Sequence, residues 1–172
     1  MADRGRMRGH VSSLLAALIV AGGLAALSQP LPASAAVTGC DAHPAGRVIL
    51  ISLTEQRLTA CQDGGVSLDT PVTTGRPALP TPRGRWSILR KNSPWTMRSP
   101  WPPSSPYWYP PSRVEYAMWF RSGGYAVHDA PWRSEYGPGT QDAGTHGCVN
   151  VPRPAMDQLY VWAPVGTPVL VS

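Results

Sequence analysis

Val48-Ile49-Leu50-Ile51-Ser52-Leu53, the connection Thr54-Glu55-Gln56 and the return Arg57-Leu58-Thr59-Ala60-Cys61 read as two short strands folded into a hairpin. Asp63-Gly64-Gly65 then turns the chain into a third apolar stretch, Val66 to Thr74. Trp86 to Leu89, Val114 to Phe120, Tyr125 to His128 and Thr167 to Val171 have the same character. Helix is scarce. Pro154 suits a first helical turn, and Ala155, Met156, Leu159 and Tyr160 recur at helical spacing to give that helix an apolar face. Short strands with frequent turns predict a mainly β, β-sandwich-like domain with one or two short helices.

Upstream of the hairpin the character changes. Arg4, Arg6 and Arg8 precede a nearly all-apolar run from Val11 to Leu27, and Ala33-Ser34-Ala35 is a small-x-small site. These are the three regions of a secretory signal peptide, with cleavage expected after Ala35 or one residue later. The rival is an uncleaved anchor, which the short apolar run disfavours. Val37-Thr38-Gly39-Cys40 loosely resembles a lipobox, but Pro30 and Pro32 separate it from the apolar run. A secreted product is therefore expected ahead of a lipoprotein anchored at Cys40. Residues 36–45 form a short tail and 46–172 a single domain, enough chain for one core.

Charge excludes little. The whole chain carries +5, and the part after residue 35 keeps 12 of 15 basic and 9 of 10 acidic residues, a net +3. Its arginines are scattered and match no nucleic-acid motif. Weak positive charge is compatible with an anionic wall polymer and does not demand one.

Three cysteines in an oxidising compartment divide into a pair and a single. Cys40 lies just before the first hairpin and Cys61 ends its returning strand, so a disulfide between them is expected. Cys148 is the odd thiol. It stands in Thr145-His146-Gly147-Cys148-Val149-Asn150, downstream of Val127-His128-Asp129. A thiol attacks a carbonyl as thiolate, so a cysteine with histidine in reach is the minimum for making and breaking a thioester. His128 ends one predicted strand and Cys148 opens the apolar run Val149 to Val151, which lets the two face each other at a sheet edge. Gly147 permits an unusual backbone beside the nucleophile. The N–H groups of His146, Gly147 and Cys148 are candidates for an oxyanion pocket.

Two loops stand out. Residues 75–84 are stiffened by Pro77, Pro80 and Pro82. Ser93 to Ser112 is longer, and interleaves Trp95, Trp101, Tyr107, Trp108 and Tyr109 with prolines. Its aromatic content argues against disorder, and its length argues for a functional wall or lid. The plainer alternative is that these rings only cover the core.

A histidine, a gap of sixteen residues, and then Thr145-His146-Gly147-Cys148-Val149-Asn150 is similar to the signature of the L,D-transpeptidase catalytic (YkuD) family. The likeness extends to Val48 to Ala60, to Pro71-Val72-Thr73-Thr74-Gly75 and to Thr81-Pro82-Arg83-Gly84, roughly residues 46–171. The resemblance implies a mostly β fold and acyl transfer on peptidoglycan stem peptides, without cofactor or metal. In that family a cysteine attacks the carbonyl of the third stem residue, commonly a diamino acid such as meso-diaminopimelate. The terminal D-alanine is expelled, and an amine of a neighbouring stem resolves the thioester into a 3→3 cross-link.

Carried onto this chain, Cys148 is the nucleophile and His128 the general acid/base. His146 has a supporting role, and Gly147 and Cys148 supply oxyanion N–H groups. Tyr116, Met118 and Trp119 resemble a segment bordering the substrate pocket, and Thr145 and Asn150 of the signature join them as substrate-binding candidates. Asp129 stands where the family often has Ser or Gly; it either raises the histidine's proton affinity or faces solvent, and is not counted as a third catalytic member. Donor and acceptor stems are the expected partners of a monomer. Three rivals remain: a wall carboxypeptidase or endopeptidase that sends the same thioester to water, a wall-binding domain with Cys148 merely buried, and a zinc site built from His128, Asp129, His146 and Cys148.

Overall fold

The computed structural model describes residues 39–172, so the expected signal peptide lies outside the described residues. The chain forms β1 (Arg47–Ser52), β2 (Arg57–Gln62), β3 (Gly65–Pro71), β4 (Gly84–Ser87), β5 (Arg90–Asn92), β6 (Trp95–Met97), β7 (Ser112–Val114), β8 (Ala117–Arg121), β9 (Tyr125–Asp129), β10 (Val149–Val151), α1 (Arg153–Trp162) and β11 (Pro168–Val171). Two main sheets result, ordered β3-β2-β1-β11-β4 and β10-β9-β8-β5, with β6 and β7 as a separate two-stranded ribbon. Ile49, Ile51 and Leu58 from the first sheet meet Met118, Phe120, Val127, Val149 and Val151 from the second, with Met156 and Leu159 of α1, in one buried core. Among the described residues no helix is long and apolar enough to cross a membrane.

The opening hairpin forms as expected, with Val48 opposite Cys61 and Ile51 opposite Leu58. Its first strand shows no polar alternation because both faces are covered. Ile49 and Ile51 enter the main core, whereas Val48 packs beneath the Cys40–Cys61 disulfide with Leu50 and Leu170 alongside. The turn needs a positive φ, and Gln56 supplies it at 48°. That conformation costs a non-glycine residue about 1 kcal/mol. The buried amide offsets the cost by donating to Leu53 O (2.7 Å) and Thr74 Oγ1 (2.6 Å), and by accepting from Thr74 N (2.8 Å).

Two strand readings and one loop reading change in the folded chain. The stretch Val66 to Thr74 leaves its sheet after Pro71; Thr73 and Asn150 then exchange backbone hydrogen bonds of 3.0 and 2.8 Å, tying the first sheet to β10. Val114 to Phe120 is two strands. The buried carboxylate of Asp129 accepts hydrogen bonds from the N–H groups of Glu115 (3.0 Å) and Tyr116 (2.8 Å), which holds the break between β7 and β8. The loop from Ser93 to Ser112 is no structureless span: Trp95↔Val114 and Met97↔Ser112 pair it into the ribbon.

The helix begins after Pro152 with Pro154 in its first turn, and buries Met156 and Leu159. Its last turn has no basic residue. Lys91 of β5 supplies the charge instead, donating from Nζ to the carbonyls of Tyr160 and Ala163 at the negative end of the helix dipole.

Candidate active site

Alternation along two adjacent strands builds the site. In the parallel pairing of β9 with β10, Val127 lies beside Val149 and His128 beside Asn150. Val127, Val149 and Val151 point into the core, so His128 and Asn150 emerge on the opposite face with Cys148, two positions before Asn150. The ribbon β6–β7 covers part of that face: Met97 and Val114 pack on Ala117, Trp119 and Ala126, with Cys148 at the margin. What stays open is a cavity of about 450 Å³, lined on one side by Met97, Tyr109, Pro110 and Ser112 and on the other by His128 and Cys148.

The loop carrying the cysteine is locked in place. Gly147 has φ of 109°, and a Cβ there would lie 2.6 Å from the Tyr125 ring, so glycine is needed on two counts. Thr145 Oγ1 accepts from Gly147 N at 3.0 Å and donates to Cys148 O at 2.6 Å. From below, Thr81 Oγ1 donates to Gly147 O at 3.0 Å. The Gly147 N–H is thus already engaged, which removes it as an oxyanion donor and makes Thr145 a brace of the loop as well as a lining residue.

His128 is 3% exposed. Its Nδ1 lies 2.6 Å from the Asp129 carbonyl, which can only accept, so Nδ1 carries the proton. Nε2 is then the basic nitrogen and accepts from Asn150 Nδ2 at 3.1 Å. Burial pulls the imidazole below its ordinary value, with the Asp129 carbonyl and charge opposing, so the ring is held neutral. Cys148 is the free thiol, partly open to the cavity. Burial pushes it up to about 11 against the pull of the Ala126 backbone, and its Sγ donates weakly to Gly124 O at 3.5 Å. The resting pair is a neutral thiol and a neutral imidazole.

His146 sits at the mouth, with Tyr109 and Trp101 against it at ring separations of 4.9 and 5.4 Å. Burial and then Arg76 lower its proton affinity. Tyr109 lines the cavity, and burial with the neighbouring Cys148 lifts its phenol to about 12. Trp108 is 41% exposed and does not border the cavity. The long loop is therefore both a wall and a core cover, and Tyr109 is its wall aromatic.

Thr145 and Asn150 line the cavity; Tyr116, Met118 and Trp119 do not. Met118 faces the main core because it alternates with Ala117 and Trp119. Trp119 does face outward, but Trp95 and Arg90 cover it and its Nε1 donates to Asn92. Tyr116 stacks on Tyr160 of α1 at 4.4 Å. The Asp129 carboxylate turns to Glu115 and Tyr116 and is buried, so it neither faces solvent nor joins the histidines in a metal-ligand set. Among the described residues no group of three such side chains is placed to hold a metal.

Sequence reasoning passed over Arg76, Arg133 and Trp132, all of which line the cavity. Trp132, four residues after His128, was the legible one: a large aromatic left 53% exposed beside the His128 ring.

Residues 46–171 match the family described as YkuD, the L,D-transpeptidase catalytic domain. The chain belongs to this family. Probable L,D-transpeptidase 3 of Mycobacterium tuberculosis (strain ATCC 25618 / H37Rv) is 35% identical over 105 residues, 59% of this YkuD chain and 38% of that protein. The crystal structure of an Enterococcus faecium L,D-transpeptidase carrying a cysteine-to-serine mutation superposes with a TM-score of 0.68 at 32% identity, covering 74% of this chain and 50% of that one. The catalytic domain of the E. faecium enzyme, solved by NMR, gives 0.64 at 31% identity over 76% of this chain and 99% of its own length. This chain thus spans about two fifths of the curated relative and half of the E. faecium crystal chain, but nearly all of an isolated catalytic domain. The mostly β fold of two packed sheets is shared with these YkuD structures.

Proposed function

We propose that this chain is a secreted cysteine L,D-transpeptidase that joins peptidoglycan stems. One observation carries the reading: the free thiol of Cys148 and a neutral His128, whose basic Nε2 is held by Asn150 Nδ2, share one cavity of a YkuD domain. With the thiol's proton affinity so high, ionisation ahead of substrate is unfavourable, so the proton leaves as the C–S bond forms. Sγ bonds to the carbonyl carbon of the third stem residue while the thiol proton passes to His128 Nε2. The imidazolium returns that proton to the departing amine of D-alanine, leaving a thioester. An acceptor amine then attacks, gives a proton to His128, and expels the Cys148 sulfur, which takes the proton back. Asn150 Nδ2 gives up its hydrogen bond to Nε2 as the thiol proton arrives, and the Cys148 N–H serves as the oxyanion donor once Gly147 N is committed to Thr145.

Secretion rests on the three-part pattern of residues 1–35, with the catalytic domain following from residue 46. The Cys40–Cys61 disulfide supports an oxidising compartment. A sulfur in a disulfide is closed to thioether lipidation, which favours the free form over the lipoprotein.

The test is mass spectrometry of the wild-type protein and Cys148→Ala with a purified disaccharide tetrapeptide. Loss of D-alanine together with a cross-linked dimer, in the wild type alone, is expected. Tripeptide without dimer would point to hydrolysis, and no Cys148-dependent product would overturn the enzyme reading.

A further inference from the structure

Among the described residues two guanidiniums line the cavity and no carboxylate does. Arg133 donates from Nη2 to Ala143 O at 2.7 Å and reaches Asn150 Oδ1 from Nε at 3.4 Å, one amide away from His128. Arg76 donates from Nη2 to Gly144 O at 2.8 Å and from Nε to Gly144 O and Thr145 O at 3.2 and 3.3 Å, on the loop that carries Cys148. These bonds fix both planes and leave each Nη1 without a protein partner among the described residues. Neither arginine is in an ion pair among the described residues, whereas Arg57 and Arg153 on the outer surface are. The two cations also act on each other: burial first, and Arg76 as a further cause, lowers the proton affinity of Arg133. Two half-buried like charges held by neutral carbonyls are relieved by an anion, and a planar fork suits a carboxylate.

We propose that Arg76 and Arg133 are specificity residues that anchor a substrate carboxylate beside the scissile bond. The proposal rests on the transpeptidase reading above. Two groups of a stem peptide supply this chemistry: the α-carboxylate of the terminal D-residue and the side-chain carboxylate of a third-position diamino acid. The anchor makes the enzyme prefer an acid over the matching carboxamide at whichever of these it holds.

Three tetrapeptide donors test it on the wild-type enzyme: the free acid, the terminal carboxamide and the third-residue side-chain carboxamide. Release of the terminal residue is followed for each. A kcat/KM lower by about tenfold or more for one of the amides is expected, and identifies the anchored group. In Arg133→Gln and Arg76→Gln that preference falls to within about twofold, while Arg133→Lys restores part of it. A merely structural arginine would lower turnover of acid and amide alike and leave their ratio unchanged, so an unchanged ratio in both variants overturns the proposal.

A second readout needs no stem peptide. Iodoacetate and iodoacetamide both alkylate Cys148, the sulfur displacing iodide, and differ in one negative charge. Relative to a small free thiol, the wild type should favour iodoacetate and both Gln variants should lose that bias. If stems are turned over but neither bias exists, the anchor fails and the transpeptidase reading stands. If no stem is turned over although iodoacetate is favoured, the transpeptidase reading fails and takes the stem carboxylate with it.

Discussion

The opening hairpin and the β9–β10 pair are both short and apolar, yet one is finished as structure and the other is not. In β1–β2 the buried groups are satisfied: Ile49 and Ile51 pack into the core, Val48 packs under the disulfide, and the buried amide of Gln56 meets three partners. In β9–β10 the inner face is equally closed by Val127, Val149 and Val151. The outer face and the cavity beside it hold groups still able to react or bind, namely the Cys148 thiol, the His128 Nε2 held by one exchangeable amide bond from Asn150, and the Nη1 groups of Arg76 and Arg133, which have no protein partner among the described residues. Stability comes from satisfied groups and chemistry from unsatisfied ones, so the two regions should respond oppositely to substitution.

The sharpest separation is at His128. Replacing it with Gln should slow Cys148-dependent release of D-alanine by about 10²–10⁴, as expected when a positioned acid/base is lost. A rate within a few-fold of wild type would move the proton acceptor elsewhere. Replacing both Cys40 and Cys61 with Ala should do the reverse, costing about 3 kcal/mol in denaturant unfolding with turnover at 25 °C nearly intact. A large activity loss in that variant would mean the hairpin is coupled to the site. Gln56→Leu strands the Thr74 N–H and the Leu53 carbonyl; a cost of about 1–3 kcal/mol is expected by the same melts.

The mildest effect is on pH dependence, and its signs follow from burial. His128 and His146 bind protons less readily folded than unfolded. Their contribution is complete above the ordinary histidine value of about 6.5 and declines as pH falls below it. Cys148 is raised to about 11 from 9.0, so its contribution is present below pH 9 and is lost as pH rises toward 11. Tm should therefore be highest near pH 7–8 and lower at pH 5 and pH 10.5. Cys148→Ala should flatten the alkaline arm while leaving the acid arm in place, and an unchanged alkaline arm would contradict the buried neutral thiol.

Much of the fold was legible because strand signals are local. The hairpin, the run from Tyr125, the helix with Met156 and Leu159 inward, and the pairing of Cys40 with Cys61 needed only alternation, turn residues and cysteine arithmetic. The break after Val114 was not legible, because it depends on a carboxylate fourteen residues downstream accepting two backbone N–H groups. Trp95 to Met97 was likewise hidden among prolines, since a three-residue strand exists only through its partner.

By itself the sequence determined a mostly β chain carrying one odd cysteine, two histidines and a glycine in a spacing that brings them to one edge. Tertiary structure decided how these groups stand chemically. It placed the His128 proton on Nδ1 through a backbone carbonyl, took the Gly147 N–H for Thr145, turned Met118 inward and Asp129 toward a strand break, and brought Arg76 and Arg133 from distant segments to one cavity. The division has a physical cause: secondary-structure preference acts over neighbouring residues, whereas proton affinity, hydrogen-bond capacity and net field depend on whatever the folded chain sets within a few ångströms.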